Sequence, residues 1–315
     1  MAVNAIKYAG LNSLRGPSGA IWSKAPVAEI MESPEKGMYF FDDFLAAGNA
    51  TMSSAYAGSL GQWSTYGYAG AQVNDAQLEG GVIKIGSDGD QEGLTLLSSA
   101  GAFRMVTTST LALNRKLFFE ARVARSTVAT AKFDAFIGLM TPSLTSGLPV
   151  AAVPITTTDD TLSTTPSLFG FHLTSSTSTR GGPTEVGVAF NLASGTVNYP
   201  TNMTTLMAST GNTVLAADTY VKLGFIFDPD ALPGAVTAAT ARQTAGNIRK
   251  KLIRIFVNGI ELPAFLSTED VQNATAAQAF PTGFLAPVIS MMDTTGSSPG
   301  TFNIDWIRVA QLGNS

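Results

Sequence analysis

Few side chains in this sequence are able to do chemistry. There is one histidine, His172, and no cysteine. No disulfide can form, no thiolate can hold zinc or an iron–sulfur cluster, and no site can draw two histidines from one chain. A Ser-His-Asp triad would need His172, but no G-x-S-x-G elbow accompanies it. His172 alternates with Phe171 and Leu173 on 169–174, which fits a packed or surface histidine on a strand. Asp88, Asp90 and Glu92 have the spacing of the first half of an EF-hand, and are candidate calcium donors. The bidentate Glu of such a loop would fall on Ser99, so an acidic hairpin turn is the stronger reading. Asp42-Asp43 and Asp159-Asp160 are single adjacent pairs that read as solvated, and Glu269-Asp270 would diverge. Arg249, Lys250, Lys251 and Arg254 form the one basic cluster, either a solvated face or a patch for an acidic partner. No phosphate-binding G-x-x-x-x-G-K-[ST] is present. Trp63, Tyr66 and Tyr68 lie in a Gly-rich stretch, where they would either stack on sugar rings or be buried.

The composition narrows the partners. Of 315 residues, 13% are charged and the net charge is −4, against about a quarter charged in ordinary soluble domains. A strongly basic nucleic-acid surface is excluded at pI ≈ 5.0. Mean hydropathy is +0.19, yet no stretch approaches the roughly 18 apolar residues of a membrane-spanning helix. The first 30 residues show no apolar segment ahead of a small-residue cleavage site, so no secretory signal is expected, and the absence of Cys fits synthesis and folding in a reducing cytoplasm. Ser, Thr, Asn and Gly stand in for Lys and Glu. That suits either a neutral Thr-rich β protein or a surface covered by symmetric neighbours, since interface cores are depleted in charge.

Strands must position these residues. In 117–124, Leu117, Phe119, Ala121 and Val123 alternate with a mostly polar set, Phe118, Glu120, Arg122 and Ala124. In 220–227, Val221, Leu223, Phe225 and Phe227 oppose Tyr220, Lys222 and Gly224. The run 252–257 ends at Asn258-Gly259, a type I′ hairpin signal. Residues 133–140 are apolar on both faces, as in a central strand. In 301–311, Phe302, Ile304 and Trp306 share a face before the pattern shifts to Ile307 and Val309, which predicts a β-bulge near Trp306. Further strands are expected at 39–44, 63–68, 82–87, 93–98, 168–174, 185–192 and 286–292. Helices are expected at 268–278 and 238–251, and long loops at 141–166 and 198–218. Residues 1–37 read as an extended N-terminal arm with a helical turn near 27–31, and 38–315 as a single sandwich domain. Many strands without βαβ alternation imply an all-β, antiparallel two-sheet sandwich. Ile21 and Trp22 require that something cover part of the arm.

Several of these strands resemble the concanavalin A-like lectin/glucanase (laminin-G-like) jelly roll. Phe40-Phe41-Asp42-Asp43-Phe44 resembles that fold's first strand, and Phe118-Phe119-Glu120-Ala121-Arg122-Val123 is close to its "FEARV" strand. Residues 220–225 and 253–259 are similar to the paired strands ending in "VNG", and 303–309 to the closing strand. The four motifs occur in order over roughly 38–312. Enzymes of laminarinase type carry E-x-D-x-x-E on the strand after "FEARV", with two carboxylates about 5 Å apart. Here that strand, 133–139, holds only Asp134, so retaining glycosidase activity is not expected.

Similar domains occur in virion proteins of tailed phages. The low charge and the arm resemble capsid decoration (cement) proteins among them. That resemblance implies a non-enzymatic homo-oligomer, a trimer by analogy, on the major capsid protein at the capsid exterior, made in the host bacterial cytoplasm. It implies no cofactor, nucleic acid or membrane. The arm would reach neighbours through Lys7, Arg15, Trp22 and Lys24. The alternative is a carbohydrate-binding module of a phage tail, appendage or cell surface, using Trp63, Tyr66 and Tyr68.

Overall fold

Alternation along Leu117–Arg125 places Leu117, Phe119, Ala121 and Val123 in an apolar layer with Phe225, Ile255, Ile307 and Val309. That layer is the sandwich interior of the computed structural model. The described residues are 15–45, 50–51, 56–67, 72–75, 81–86, 93–98, 103–105, 115–129, 133–142, 154–155, 162–174, 184–192, 195, 197, 199, 215–229, 251–267, 280–281, 283–293 and 300–313. They contain β1 (Gly37–Asp42), β2 (Ala50–Thr51), β3 (Tyr56–Leu60), β4 (Trp63–Gly67), β5 (Gln72–Asp75), β6 (Ile83–Gly86), β7 (Gly93–Ser98) and β8 (Leu117–Arg125). They continue with β9 (Phe133–Met140), β10 (Leu168–Leu173), β11 (Gly187–Asn191), β12 (Val221–Phe227), β13 (Lys251–Val257), β14 (Ile260–Ser267), β15 (Ala286–Asp293) and β16 (Thr301–Leu312).

Two antiparallel sheets result, as the alternation predicts. One is nine-stranded in the order β14-β13-β12-β8-β16-β6-β5-β2, with β1 also paired to β16. The other is seven-stranded in the order β11-β10-β9-β15-β7-β4-β3. Their facing side chains form one large core, with Phe119 stacked on Phe225 at 4.9 Å and Phe169 edge-on to Phe225 at 4.7 Å. Arg125 is fully buried near the sheet ends, donating to the carbonyls of Thr174 and Phe133. Carbonyl acceptors of this kind are what allow a guanidinium to be buried at all.

The hairpin at Asn258-Gly259 has the expected positive φ at both residues, 51° and 78°. The bulge in β16 is also present, between Ile304 and Trp306. It is near Trp306 as expected, but Trp306, grouped by the sequence reading with Phe302 and Ile304, lies beyond it on the other face. Ile304 still faces the core, Trp306 already faces outward opposite Arg122, and Asp305 is the extra residue. Strands β2, β3 and β5 were not expected. The two predicted helices lie largely outside the described residues, and Lys251, at the end of 238–251, opens β13. No helix among the described residues is long and apolar enough to cross a membrane.

The arm is not extended over its described part. Residues 15–36 form α1 (Gly19–Trp22), α2 (Val27–Glu32) and a 3-10 turn (Pro34–Lys36) before β1. These elements pack on the outer face of the nine-stranded sheet. Ile21, Trp22, Ala25 and Ile30 form a second apolar layer there with Phe118, Ile226, Phe256 and Ala310. The outer face of β8, read from sequence as mostly polar, is therefore covered. Gly224 makes room for the cover: a Cβ at that position would lie 2.5 Å from the Ile21 Cδ1.

Candidate functional site

On the outer face of the nine-stranded sheet, strand pairing sets Gly224, Glu120, Arg308 and Phe41 in one row across β12, β8, β16 and β1. Lys222, Arg122 and Trp306 form the next row. Alternation alone gives these residues one face; the N-terminal segment supplies their partners. Glu120 Oε2 accepts from the Ser18 backbone N–H at 2.9 Å and from the Trp22 indole N–H at 2.7 Å. Burial pushes the Glu120 carboxyl up from its ordinary value, against the opposing pull of those donors and of nearby Lys222. Burial likewise lowers the Lys222 ammonium, which donates to the Gly16 carbonyl at 3.0 Å. Asp305, placed by the bulge, is 1% exposed and paired with Arg15 at 2.8 Å and with Arg122. The Trp306 indole N–H donates to the Arg15 carbonyl at 2.7 Å.

Between segment and sheet lies an open cleft of about 390 Å³ lined by Arg15, Gly16, Pro17, Phe41, Asp43, Asp305, Trp306 and Arg308. The Arg308 guanidinium carbon stands 4.7 Å from the Phe41 ring centre, 5.1 Å from Trp22 and 5.9 Å from Tyr39. Among the described residues no carboxylate forms an ion pair with it, and its buried Nε has no hydrogen-bond partner.

The outer face of the seven-stranded sheet has different chemistry. Asp134, Phe136 and Met140 on β9, with His172 and Leu168 on β10, are buried. Ile155 and Leu162, from the first expected long loop, pack here with Phe136, Met140 and Val288, and Val197 and Tyr199 join them. His172 is buried; its Nδ1 is 3.0 Å from the Tyr199 hydroxyl and its Nε2 is 3.9 Å from the Asp134 carboxylate. The second distance is too long for a hydrogen bond. Ser290 lies in the row of His172 but two strands away, roughly 9–10 Å at ordinary strand spacing, and its hydroxyl is 2.8 Å from that of Thr95. Ser290 is therefore out of reach of His172.

The expected site residues fare unevenly. Arg15 and Trp22, read as reaching neighbours, are engaged with this chain's own sheet, and Lys24 is exposed. Trp63, read as a stacking surface, is 2% exposed, packed on Phe40 and Phe44, and its indole N–H donates to Asp42 at 2.6 Å. Tyr66 is half-buried. Lys7, Tyr68, Asp88, Asp90 and Glu92 lie outside the described residues, which contain no group of three or more possible metal ligands. Of the basic cluster, Lys251 and Arg254 meet Glu261 at 3.2 and 3.6 Å, so acids of this chain answer them. Sequence reasoning missed the Arg308 cleft. Its signal was an arginine set opposite Glu120 and beside Phe41, legible only once strand order is known.

No family model matches the chain, and no curated protein matches it. Among solved structures it is similar to basic winged bean lectin with Tn-antigen, at 9% identity over 88% of this chain and 99% of the lectin, TM-score 0.46. It is similar to an endo-1,3-beta-glucanase from Streptomyces sioyaensis at 13% identity over 87% and 95%, TM-score 0.41. A carbohydrate esterase from the Shiga toxin-encoding bacteriophage phi24B is similar at 18% identity over 80% and 90%, TM-score 0.38. At these identities the likeness extends to no individual residue.

Proposed function

We propose that this protein works by contact rather than by catalysis, as a structural component of an assembly. In its finer form the proposal is a decoration protein of a tailed-phage head, a homo-oligomer on the major capsid protein at the capsid exterior. The observation that carries the non-catalytic reading is the packed outer face of the seven-stranded sheet. Asp134, the one acid on the strand where a glycosidase pair would sit, is buried with His172 beneath Tyr199, Ile155 and Leu162. A polysaccharide chain has no access to it in this conformation. The low charge supports a surface made to be covered, and Met31, Leu45, Ile260 and Phe284 are exposed apolar residues available to neighbours.

Light scattering on the protein alone and mixed with undecorated phage capsids tests this reading. Saturable binding with a fixed number of copies per particle is expected. Turnover of any member of a polysaccharide panel, or absence of capsid binding, overturns it. Deleting residues 1–36 is a poor test of arm contacts, because it strips the cover from Phe118, Ile226 and Phe256. Deleting 1–14 leaves that cover in place.

A further inference from the structure

The cleft beside Arg308 is open, yet its charges are only partly answered within the protein. Asp305 is neutralised by Arg15 and Arg122. That leaves one guanidinium, Arg308, and one carboxylate, Asp43, which faces Arg15 without a salt bridge to it and whose one hydrogen bond among the described residues is a long 3.4 Å contact from the Leu45 N–H. Arg308 is pre-oriented. Strand pairing places it beside Phe41, and the rings of Trp22, Tyr39 and Phe41 surround its guanidinium. The Nε is buried, but a cation held by ring faces keeps the donors of its terminal nitrogens for an outside acceptor, and a carboxylate matches that planar donor fork. Phe41 and Trp306 add apolar wall, and Asp43 supplies an acceptor for hydroxyl donors. The volume, about 390 Å³, falls within the range of small-molecule sites.

We propose that this cleft binds a small hydroxylated carboxylate of the sugar-acid class, its carboxylate on Arg308, its hydroxyls on Asp43 and its ring against Phe41 and Trp306. Arg15, Gly16 and Pro17 form one wall, so the site exists only while the N-terminal segment is docked. The proposal is independent of capsid binding, and lies on the sheet opposite the packed Asp134–His172 face.

Isothermal titration of the full chain with glucuronic acid tests it, with glucose and acetate as comparisons. Glucuronate is expected to bind at least 10-fold more tightly than either. Arg308→Gln should weaken it at least 10-fold, and Asp43→Asn several-fold while leaving acetate unchanged. Asp43 lies just beyond β1, so its variant keeps the test sound even if Arg308→Gln disturbs the sheet. Equal binding of glucuronate and glucose, no glucuronate binding, or binding unaffected by both substitutions overturns the proposal.

Discussion

Trp22 lies on the nine-stranded sheet with its indole N–H on a buried carboxylate, while Ile155 and Leu162 lie on the seven-stranded sheet among Phe136, Met140 and Val288. Both sheets thus have their outer faces covered by other parts of the same chain. The first cover is fixed at named polar points: Glu120 to Ser18 and Trp22, Lys222 to Gly16, Asp305 to Arg15, and Trp306 to the Arg15 carbonyl. The second, among the described residues, combines apolar contact with fewer polar points: Tyr199 on His172, and the Asn191 side-chain amide donating to the Thr164 and Pro166 carbonyls at 2.9 and 3.1 Å. Apolar contact is non-directional and tolerates small shifts, whereas buried hydrogen bonds select one register and cost heavily when half broken. The first cover, with more of these points, should therefore respond more strongly to loss of a single anchoring side chain than the second does to loss of the Tyr199 hydroxyl.

Trp22→Ala is the strongest test of that contrast. It removes a large buried ring from above Phe118 and takes a donor from Glu120. Large-to-small changes at buried Trp cost about 3–5 kcal/mol, and chemical denaturation should read a loss of that order. Limited proteolysis should then cut within 15–36 in the variant before the sandwich is attacked. A loss near zero would mean that the segment contributes nothing to the sheet beneath it.

The sandwich was legible because its interior is written in alternation. Leu117, Phe119, Ala121 and Val123, like Val221, Leu223, Phe225 and Phe227, can share a face only on a strand. Asn258-Gly259 announced its turn for an equally local reason. Strand β3, Tyr-Ala-Gly-Ser-Leu, has no apolar alternation to read, and its place comes from pairing with β4. The cover was half legible. Ile21 and Trp22 demanded burial, but alternation cannot tell an outer face in water from one beneath another segment. Glu120 and Arg122 accordingly read simply as part of a mostly polar outer face. The better signal was their neighbours: Phe118, Gly224, Ile226, Phe256 and Ala310 make an outer face far too apolar for water. Candidate site residues suffered most, because aromatic character says that a ring needs a partner without saying which. Trp22 and Trp63 both found theirs inside the chain.

Glu120 sharpens the contrast through pH. Its carboxyl is raised by burial, so the native state holds a proton that the unfolded chain has released. Between the ordinary value of 4.5 and the raised native one, the folded protein binds more protons. Stability therefore falls as pH rises through that window and is fullest below it. Lys222 acts with the opposite sign, but its window lies between its lowered native value and 10.5, towards alkaline pH. Glu120→Gln keeps an acceptor for Ser18 and Trp22 without the charge. Denaturation at a series of pH values should show a stability difference that moves in favour of the Gln variant as pH rises above 4.5. A difference that stays flat with pH would remove Glu120 as the titrating point of the cover.

Tyr199→Phe asks the matching question of the seven-stranded side and should give the smallest answer. The substitution deletes one hydroxyl, 3.0 Å from His172 Nδ1, and keeps the ring that packs beside Phe136 and Val288. A single hydrogen bond of this kind contributes about 1 kcal/mol net. The Asp134 carboxylate, 3.9 Å from His172 Nε2, is untouched by the change. Denaturation should therefore register a loss of about 1 kcal/mol, well below that of Trp22→Ala, with no new proteolytic site in 154–167. A loss as large as that of Trp22→Ala would show that His172 and Tyr199 fix this cover as firmly as Glu120 fixes the other, and the two faces would then differ in residues but not in kind.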